Sequence, residues 1–444
     1  MDLTGLAPFC AEPWQKFALG IDGNIAGCFR SPNGVMGNVK DGKSWQQLWN
    51  GTSYVKLREQ VGSEKFEEYI CRVCPHFQAG RVSQLIYDAE GAASGTPYGE
   101  NIRTLMQEFT EGKSLLTAKP TWLHIEASAL CNLNCIMCAQ SNQKNETNSN
   151  DYISEVLDEL LPVLTHLNWS GGEPLMQSAF KKFCSSYTPS TNPYLSISLM
   201  TNGLLLDERI VSFLTQFKTA TISVSVDGTQ GVYESIRRGG SWSTLQRVVG
   251  MLSEAREAHQ NFYFNCALTI QKANVTDLPN YLEWCISNKI PSVFVAVLGF
   301  PQVMRADIFS NPMQETVGWK AALTQSMELV RHLDETTRDI VVPGSGKSLS
   351  GEPLLRIYHD KILSAMERAQ AYKEYRLSLP EDLTPDATSH LLFFPNNDYE
   401  PCAYAFIDNT REFSVFLPVN TSFTVRAYDT IYSLFPVSKY TFQL

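Results

Sequence analysis

From residue 122 onward, apolar and polar residues alternate in short runs, and longer stretches with helical spacing separate those runs. A two-residue period marks strands buried on one side, and a period near 3.6 marks amphipathic helices. Strands are expected at 122–128, 165–170, 196–202, 219–227, 262–270 and 292–299, with helices between them at 151–164, 207–217, 241–259 and 277–288. Strands alternating with helices predict β/α units around a parallel sheet, so the fold class is α/β with six units in a partial barrel. Beyond residue 300 the pattern changes to helices, expected at 314–334 and 350–376, and then to strand-like, aromatic-rich sequence up to Leu444.

The alternation also divides the two faces of each strand. His124, Glu126 and Ser128 alternate with Leu123, Ile125 and Ala127. The later strands give His166, Asn168 and Ser170; Ser196, Ser198 and Asn202; Thr221, Ser223, Ser225 and Asp227; and Tyr263, Asn265 and Thr269. Outer helices cover the apolar face, so the polar set is expected to line the interior. A closed eight-stranded barrel fills its interior with bulky branched side chains, whereas a polar interior suits a wetted cavity for cofactor and substrate.

Composition narrows the picture. A chain of 444 residues has room for two or three domains. With 46 acidic against 36 basic residues the net charge is −10, which leaves no basic surface for nucleic acid. No apolar run is long enough to span a bilayer, and the start Met1-Asp-Leu-Thr-Gly-Leu-Ala-Pro8 lacks a cationic segment followed by an apolar one. A cytoplasmic protein without a membrane partner is expected, and its 11 cysteines then point to metal or redox use and not to disulfides.

Three of these cysteines form the compact loop Cys131-Asn-Leu-Asn-Cys135-Ile-Met-Cys138 after the first strand. Iron–sulfur cubanes normally take four thiolates, so three close ones hold three irons and leave the fourth open to a small chelator. The alternatives are a zinc site or a redox pair, but zinc sites usually add a second pair or histidines, and this loop contains no histidine. The second strand ends in Trp169-Ser-Gly-Gly-Glu-Pro174. The two motifs in this order resemble the radical S-adenosylmethionine (radical SAM) superfamily.

The resemblance implies a three-quarter barrel with a [4Fe-4S] cluster on Cys131, Cys135 and Cys138 and with SAM chelating the open iron. One electron would then cleave SAM to methionine and a 5'-deoxyadenosyl radical, which abstracts hydrogen from a substrate. Gly171, Gly172, Glu173 and Pro174 would meet the SAM amino group, the glycines allowing close backbone approach. Met137 would lie beside adenine, where the family often has an aromatic residue. Asn202, Ser225 and Asp227 end the third and fourth strands on the same rim and would contact ribose. Arg237 in Tyr233-Glu-Ser-Ile-Arg237 would face the SAM carboxylate, although Arg238 could substitute for it.

The head of the chain carries Cys10-Ala-Glu-Pro-Trp14, Gly23-Asn-Ile-Ala-Gly-Cys28, Trp45-Gln-Gln-Leu-Trp-Asn-Gly51 and Cys71-Arg-Val-Cys74. These elements resemble a SPASM/twitch auxiliary-cluster module placed before the barrel. Cys10, Cys28, Cys71 and Cys74 can saturate a second [4Fe-4S] cluster suited to electron transfer or structural support; the alternative is a structural zinc. The expected organisation is a twitch/SPASM-like domain over 1–80, a linker over 81–118 with turn-rich sequence at 90–99, a radical SAM partial barrel over 119–300, and a C-terminal extension over 301–444. Cys184, Cys266 and Cys285 are core candidates, and Cys402 is a candidate hydrogen donor to a substrate radical.

SPASM/twitch relatives mostly modify ribosomally made peptides, and that is the expected substrate class. The alternative is a carbohydrate or aminocyclitol dehydrogenase or epimerase. A rival of another class is a non-catalytic iron–sulfur electron carrier or sensor, which would need neither the polar interior nor the Gly-Gly-Glu-Pro element. An electron donor such as a flavodoxin or ferredoxin is the implied partner.

Overall fold

The structure, a computed structural model, describes residues 10–21, 23–27, 35–61, 85, 88–92, 94–138, 150–296, 317–337, 372–379, 381, 390–395, 403–406, 411–418, 422–428 and 438–443. Strands β4 (Trp122–Glu126), β5 (His166–Ser170), β6 (Ser196–Thr201), β7 (Thr219–Ser225), β8 (Phe262–Ile270) and β9 (Ser292–Ala296) are joined in sequence order as parallel neighbours. These are the six expected strands, each ending within two residues of its expected bounds except β9, beyond which the chain is outside the described residues.

The apolar and polar faces separate as the alternation predicts. Leu123, Ile125, Leu167, Trp169, Ile197, Leu199, Ile222, Val224, Phe264 and Leu268 are at most 2% exposed on the helix-covered side. Their neighbours His124, Glu126, Asn168, Ser198, Thr221, Ser223 and Asn265 on the other side are half-buried. Burial of the first set, at about 1.5–3 kcal/mol for each large apolar side chain, fixes the strand register, since a one-residue slip would move all of them to the polar face.

The helices that cover the apolar side have local start and stop signals. Helix α5 (Asn150–Leu160) gives way to a 3₁₀ turn over Leu161–Val163, where Pro162 cannot donate a helical hydrogen bond. Helix α7 (Glu208–Leu214) is capped by Asp207, which accepts from Ile210 N, and α9 (Trp242–Ala258) by Ser241, which accepts from Thr244 N. Helices α6 (Ser178–Ser186), α8 (Gln230–Ile236) and α10 (Leu278–Ser287) complete the layer, and α11 (Val317–Thr336) packs against α10. Cys184, Cys266 and Cys285 lie in this packing, and burial pushes the Cys184 and Cys285 thiols up to about 12. They are inert core residues.

The head adds to the barrel sheet. Strand β1 (Lys16–Leu19), which follows the single-turn helix α1 (Glu12–Gln15), runs parallel to β4, with Lys16 opposite Trp122 and Leu19 opposite Ile125. Strands β2 (Asn24–Ala26) and β3 (Gly37–Asn38) extend the same sheet antiparallel, giving the order β3-β2-β1-β4-β5-β6-β7-β8-β9. Helices α2 (Trp45–Trp49) and α3 (Thr52–Val61) cover them. Arg58 is buried against Trp49 and Tyr54, at 4.3 and 5.0 Å from the ring centres, and donates to Pro13 O and Ser114 O. Trp14, Phe17, Trp49 and Tyr54 share one core with the barrel residues.

Two expectations change. The stretch 81–118, read as a linker, contains helix α4 (Pro97–Thr110), whose Phe109 packs edge-on to Trp14 at 5.4 Å. Glu108 of α4 accepts from Thr117 N and Oγ1 and from Ala118 N, tying helix and following chain together. The helix expected over 350–376 is a strand where it is described: β10 (Tyr372–Ser378) pairs antiparallel with β13 (Glu412–Pro418). Its charged residues suit a helix, but Tyr375, Leu377 and Leu379 alternate with exposed Arg376 and Ser378 and pack on Phe413, Val415 and Leu417. Pairing and burial outweigh the local preference. Strands β11 (His390–Pro395), β12 (Ala403–Phe406), β14 (Ser422–Tyr428) and β15 (Ser438–Gln443) form an antiparallel sheet in the order β12-β11-β14-β15, as the strand-like C-terminal sequence predicts. No helix among the described residues is long and apolar enough to cross a membrane.

Candidate functional site

The cysteine loop is held over the C-terminal ends of the strands by backbone hydrogen bonds at both sides. On one side Gly172 N donates to Ser128 O and Glu173 N to Leu130 O, both at 2.7 Å. On the other, Asn134 N donates to Arg238 O and Ile136 N to Ile236 O, both at 2.9 Å. Gly172 is required by this contact: a Cβ there would lie 2.3 Å from Leu130 O and 2.5 Å from Ala129 C. Close approach to the chain's own loop is thus one physical reason for this glycine, where the sequence suggested only approach to a ligand. Gly171 has φ +109°, which favours glycine.

The loop closes a cavity of about 210 Å³ lined by Cys131, Cys135, Cys138, Met137, Gly171, Gly172, Asn202, Ser225 and Arg237, all expected site residues. Ala129, Leu133, Met200 and Thr201 complete the lining. Met200 is 53% exposed in a strand whose same-face neighbours Ser196 and Ser198 are polar, and that break in the alternation was the sequence signal for it.

Electrostatics follow from burial. The Cys135 thiol is pushed up to about 11 by burial, against the pull of nearby Arg237, whose Nη1 lies 3.8 Å from Cys135 Sγ. Burial also raises the Cys131 thiol, which accepts from Leu133 N at 3.4 Å and has Asn202 Nδ2 at 3.9 Å. A metal that binds here must displace those protons. Burial alone would lower the Arg237 pKa, but Asp227 and Cys135 raise it on balance. The guanidinium therefore stays charged in the cavity wall. Arg238, the other candidate, is exposed and contributes its carbonyl to the loop.

Two expected ligand-facing residues are turned elsewhere. Glu173 is 0% exposed, and its carboxylate accepts from Thr201 Oγ1 at 2.7 Å, Asn202 N at 2.9 Å and Leu175 N at 3.3 Å. It fixes Asn202, which donates to Asn132 Oδ1 at 2.8 Å, so Glu173 positions the rim and does not line the cavity. Asp227, expected to contact ribose and also 0% exposed, accepts from Thr269 N at 2.6 Å and pairs with Arg237 Nη2 at 2.6 Å, so its carboxylate holds that arginine. Pro174 begins a buried 3₁₀ turn behind the rim.

Three thiols in one cavity beside a fixed guanidinium fit a cluster with an open position. Among the described residues no three Cys, His, Asp or Glu side chains converge to hold a single ion, whereas a cubane takes its ligands at separate corners. In the head, Cys10 is half-buried beside the core, while Cys28, Cys71 and Cys74 lie outside the described residues, as does Cys402.

Residues 125–268 match the model of the Radical SAM superfamily, and residues 10–75 match the SPASM model, described as an iron-sulfur cluster-binding domain. Among curated proteins the chain is 26% identical over 155 residues to the mycofactocin maturase MftC of Mycolicibacterium smegmatis, covering 34% of this chain and 38% of that protein. It is 27% identical over 176 residues to the AdoMet-dependent heme synthase of Methanosarcina barkeri, covering 38% of this chain and 48% of the relative. The match thus spans less than half of either relative. Among solved structures, anSMEcpe with bound AdoMet and the Cp18Cys peptide aligns with a TM-score of 0.37 at 18% identity, over 50% of this chain and 62% of that one. Streptococcus suis SuiB bound to S-adenosylmethionine aligns at 0.38 and 16% identity, over 56% of this chain and 52% of that one. Residues 125–268 thus form a domain of the Radical SAM superfamily, and residues 10–75 an iron–sulfur cluster-binding domain of the SPASM type.

Proposed function

We propose that this chain is an enzyme that cleaves SAM reductively and abstracts hydrogen from a ribosomally made peptide. The observation that carries the reading is the single cavity in which Cys131, Cys135 and Cys138 meet Gly171, Asn202, Ser225 and Arg237 at the open ends of the barrel strands. Cys131, Cys135 and Cys138 would hold a [4Fe-4S] cluster, and Cys10, Cys28, Cys71 and Cys74 the auxiliary one. That cluster, reduced and with SAM bound, would supply the radical that abstracts hydrogen.

The protein's own part is placement and exclusion of water. Arg237 presents a permanent cation for the SAM carboxylate, and Asp227 keeps it from swinging away. Asn202 and Ser225 offer hydrogen bonds at the rim, Met137 offers apolar contact to the adenine, and the Gly171–Gly172 backbone comes close to the amino group. In this reading 1–80 is the auxiliary-cluster domain, 119–300 the barrel and 301–444 an extension, the stretch 81–118 joining head to barrel. A peptide substrate agrees with the name maturase carried by the mycobacterial relative. The electron donor would be a flavodoxin or ferredoxin in the cytoplasm.

The test is chromatography of the anaerobically reconstituted protein after incubation with SAM and dithionite. Slow formation of 5'-deoxyadenosine without added substrate is the expected result. Intact SAM, with a verified reduced cluster, would sink the enzyme reading in favour of a carrier.

A further inference from the structure

Glu126 ends strand β4 on the polar face of the sheet, in the residue row that also contains Met200 of the cavity lining. The register aligns Glu126 with Ser170, Met200 with Ser223, and Ser223 with Asn265. Trp169 opposite Leu199 brings Ser170 level with Met200, so the five residues form one row across the interior wall. Gly171, which lines the cavity, would place a Cβ 3.5 Å from Glu126 Cα, so the Glu126 backbone lies next to the cavity wall.

Glu126 is the only charged residue of that row. Ser170 Oγ donates to Glu126 Oε1 at 3.3 Å, and His124 Nε2 lies 3.0 Å from Ser170 Oγ and 3.6 Å from Glu126 Oε1. Burial lowers the His124 pKa, so the ring is neutral at pH 7 and supplies no countercharge. The nearby Lys16 ammonium is engaged by Glu12 at 3.1 Å. Among the described residues no lysine or arginine is paired with Glu126, and its side chain is 33% exposed toward the interior. A carboxylate held in place by neutral hydrogen-bonding partners, on a sheet face where it helps no strand pairing, is poised for a partner from outside. Ser223, which donates to Asn265 Oδ1 at 2.8 Å, offers only neutral groups opposite.

We propose that Glu126, braced by Ser170 and His124, is a substrate anchor that receives a cationic group, the ammonium or guanidinium of a substrate side chain, beside the cofactor cavity. This rests on the proposed SAM-cleaving function, since only then does the interior receive a substrate. It makes a basic residue a requirement at or beside the reacting position, and discriminates against acidic neighbours by repulsion.

The probe is n-butylammonium, with n-butanol and butyrate as neutral and anionic counterparts, added to the reconstituted protein with SAM bound. The readout is the ring Cε1–H resonance of His124, one of 7 histidines, assigned by its loss in His124→Gln. Butylammonium should shift it saturably, and binding should be about tenfold tighter than for butanol, as one charge-assisted contact allows. Glu126→Gln, isosteric and still able to accept from Ser170, should lose that preference. Glu126→Asp should keep the preference with weaker binding, which also covers the case in which the Gln variant does not fold. Equal responses to butylammonium and butanol in the wild type, or an unchanged preference in Glu126→Gln, overturn the proposal. So does a fall in SAM affinity in Glu126→Gln with unchanged butylammonium binding, because Glu126 would then serve the cofactor's own cation. The readout is a proton resonance and not turnover, so its failure is distinguishable from failure to cleave SAM.

Discussion

Replacing Gly172 by Ala adds one methyl group at the most constrained point of the site. Its Cβ would sit 2.3 Å from Leu130 O, 2.5 Å from Ala129 C and 2.6 Å from Ala129 O. All three are backbone atoms, so no side chain can rotate away, and relief requires the loop to move. That movement stretches the two 2.7 Å hydrogen bonds from Gly172 N to Ser128 O and from Glu173 N to Leu130 O. Overpacking costs about 1–3 kcal/mol and each of the two weakened hydrogen bonds about 1 kcal/mol, so a loss of about 3–5 kcal/mol is expected. For a cooperative unit of barrel size this lowers the melting temperature by about 6–20 °C. The control is Gly231→Ala on α8, where a Cβ meets nothing within 4 Å and the helix should gain slightly. Melting is followed by circular dichroism, and iron uptake by the loop is measured on the same samples. If Gly172→Ala melts within a degree of wild type and takes up iron normally, the close packing of the two loops is not what fixes the cysteines.

Arg237→Met should destabilise the barrel by about 3–5 kcal/mol, because it leaves Asp227 charged and buried without its 2.6 Å partner; Arg237→Met combined with Asp227→Asn should recover part of the loss in denaturant titrations. Glu173 has its pKa raised by burial. In the folded state it therefore holds its proton to higher pH than when unfolded, and its stabilising contribution is full below the usual carboxylate range and declines as pH rises through the raised value. Melting curves of Glu173→Gln should lack that decline, so the wild-type minus variant difference must fall with rising pH, and a flat difference would refute the assignment.

What the sequence revealed follows from the range of the forces involved. The strands β4 to β8 were legible because Leu123, Ile125, Leu167, Trp169, Ile222 and Val224 are selected by one buried face, and the alternation records that face directly. The loop Cys131–Cys138 and Gly171–Gly172 stood out because both motifs, in this order, resemble those of the radical SAM superfamily, and the structure brings them to one cavity. Strand β1 was not, since Lys16–Leu19 is only 4 residues long and its pairing with Trp122–Ile125 is remote in the chain. Side-chain direction was the other limit: Glu173 and Asp227 stand on the correct rim, yet their carboxylates turn to Thr201, Asn202, Thr269 and Arg237. The strand Tyr372–Ser378 was hidden by charged residues that suit a helix equally well, until Phe413 and Leu417 supplied the face it packs on.

The central claim is that Cys131, Cys135 and Cys138 hold one cluster and the head cysteines another. Iron, sulfide and zinc should be counted per chain after anaerobic reconstitution, for wild type and for the variant with Cys131, Cys135 and Cys138 all replaced by Ala. About eight irons in the wild type and about four in the variant, with no SAM cleavage by the variant, is the predicted result for two cubanes. A variant that keeps the full iron complement, or a wild type whose head holds zinc, would contradict it.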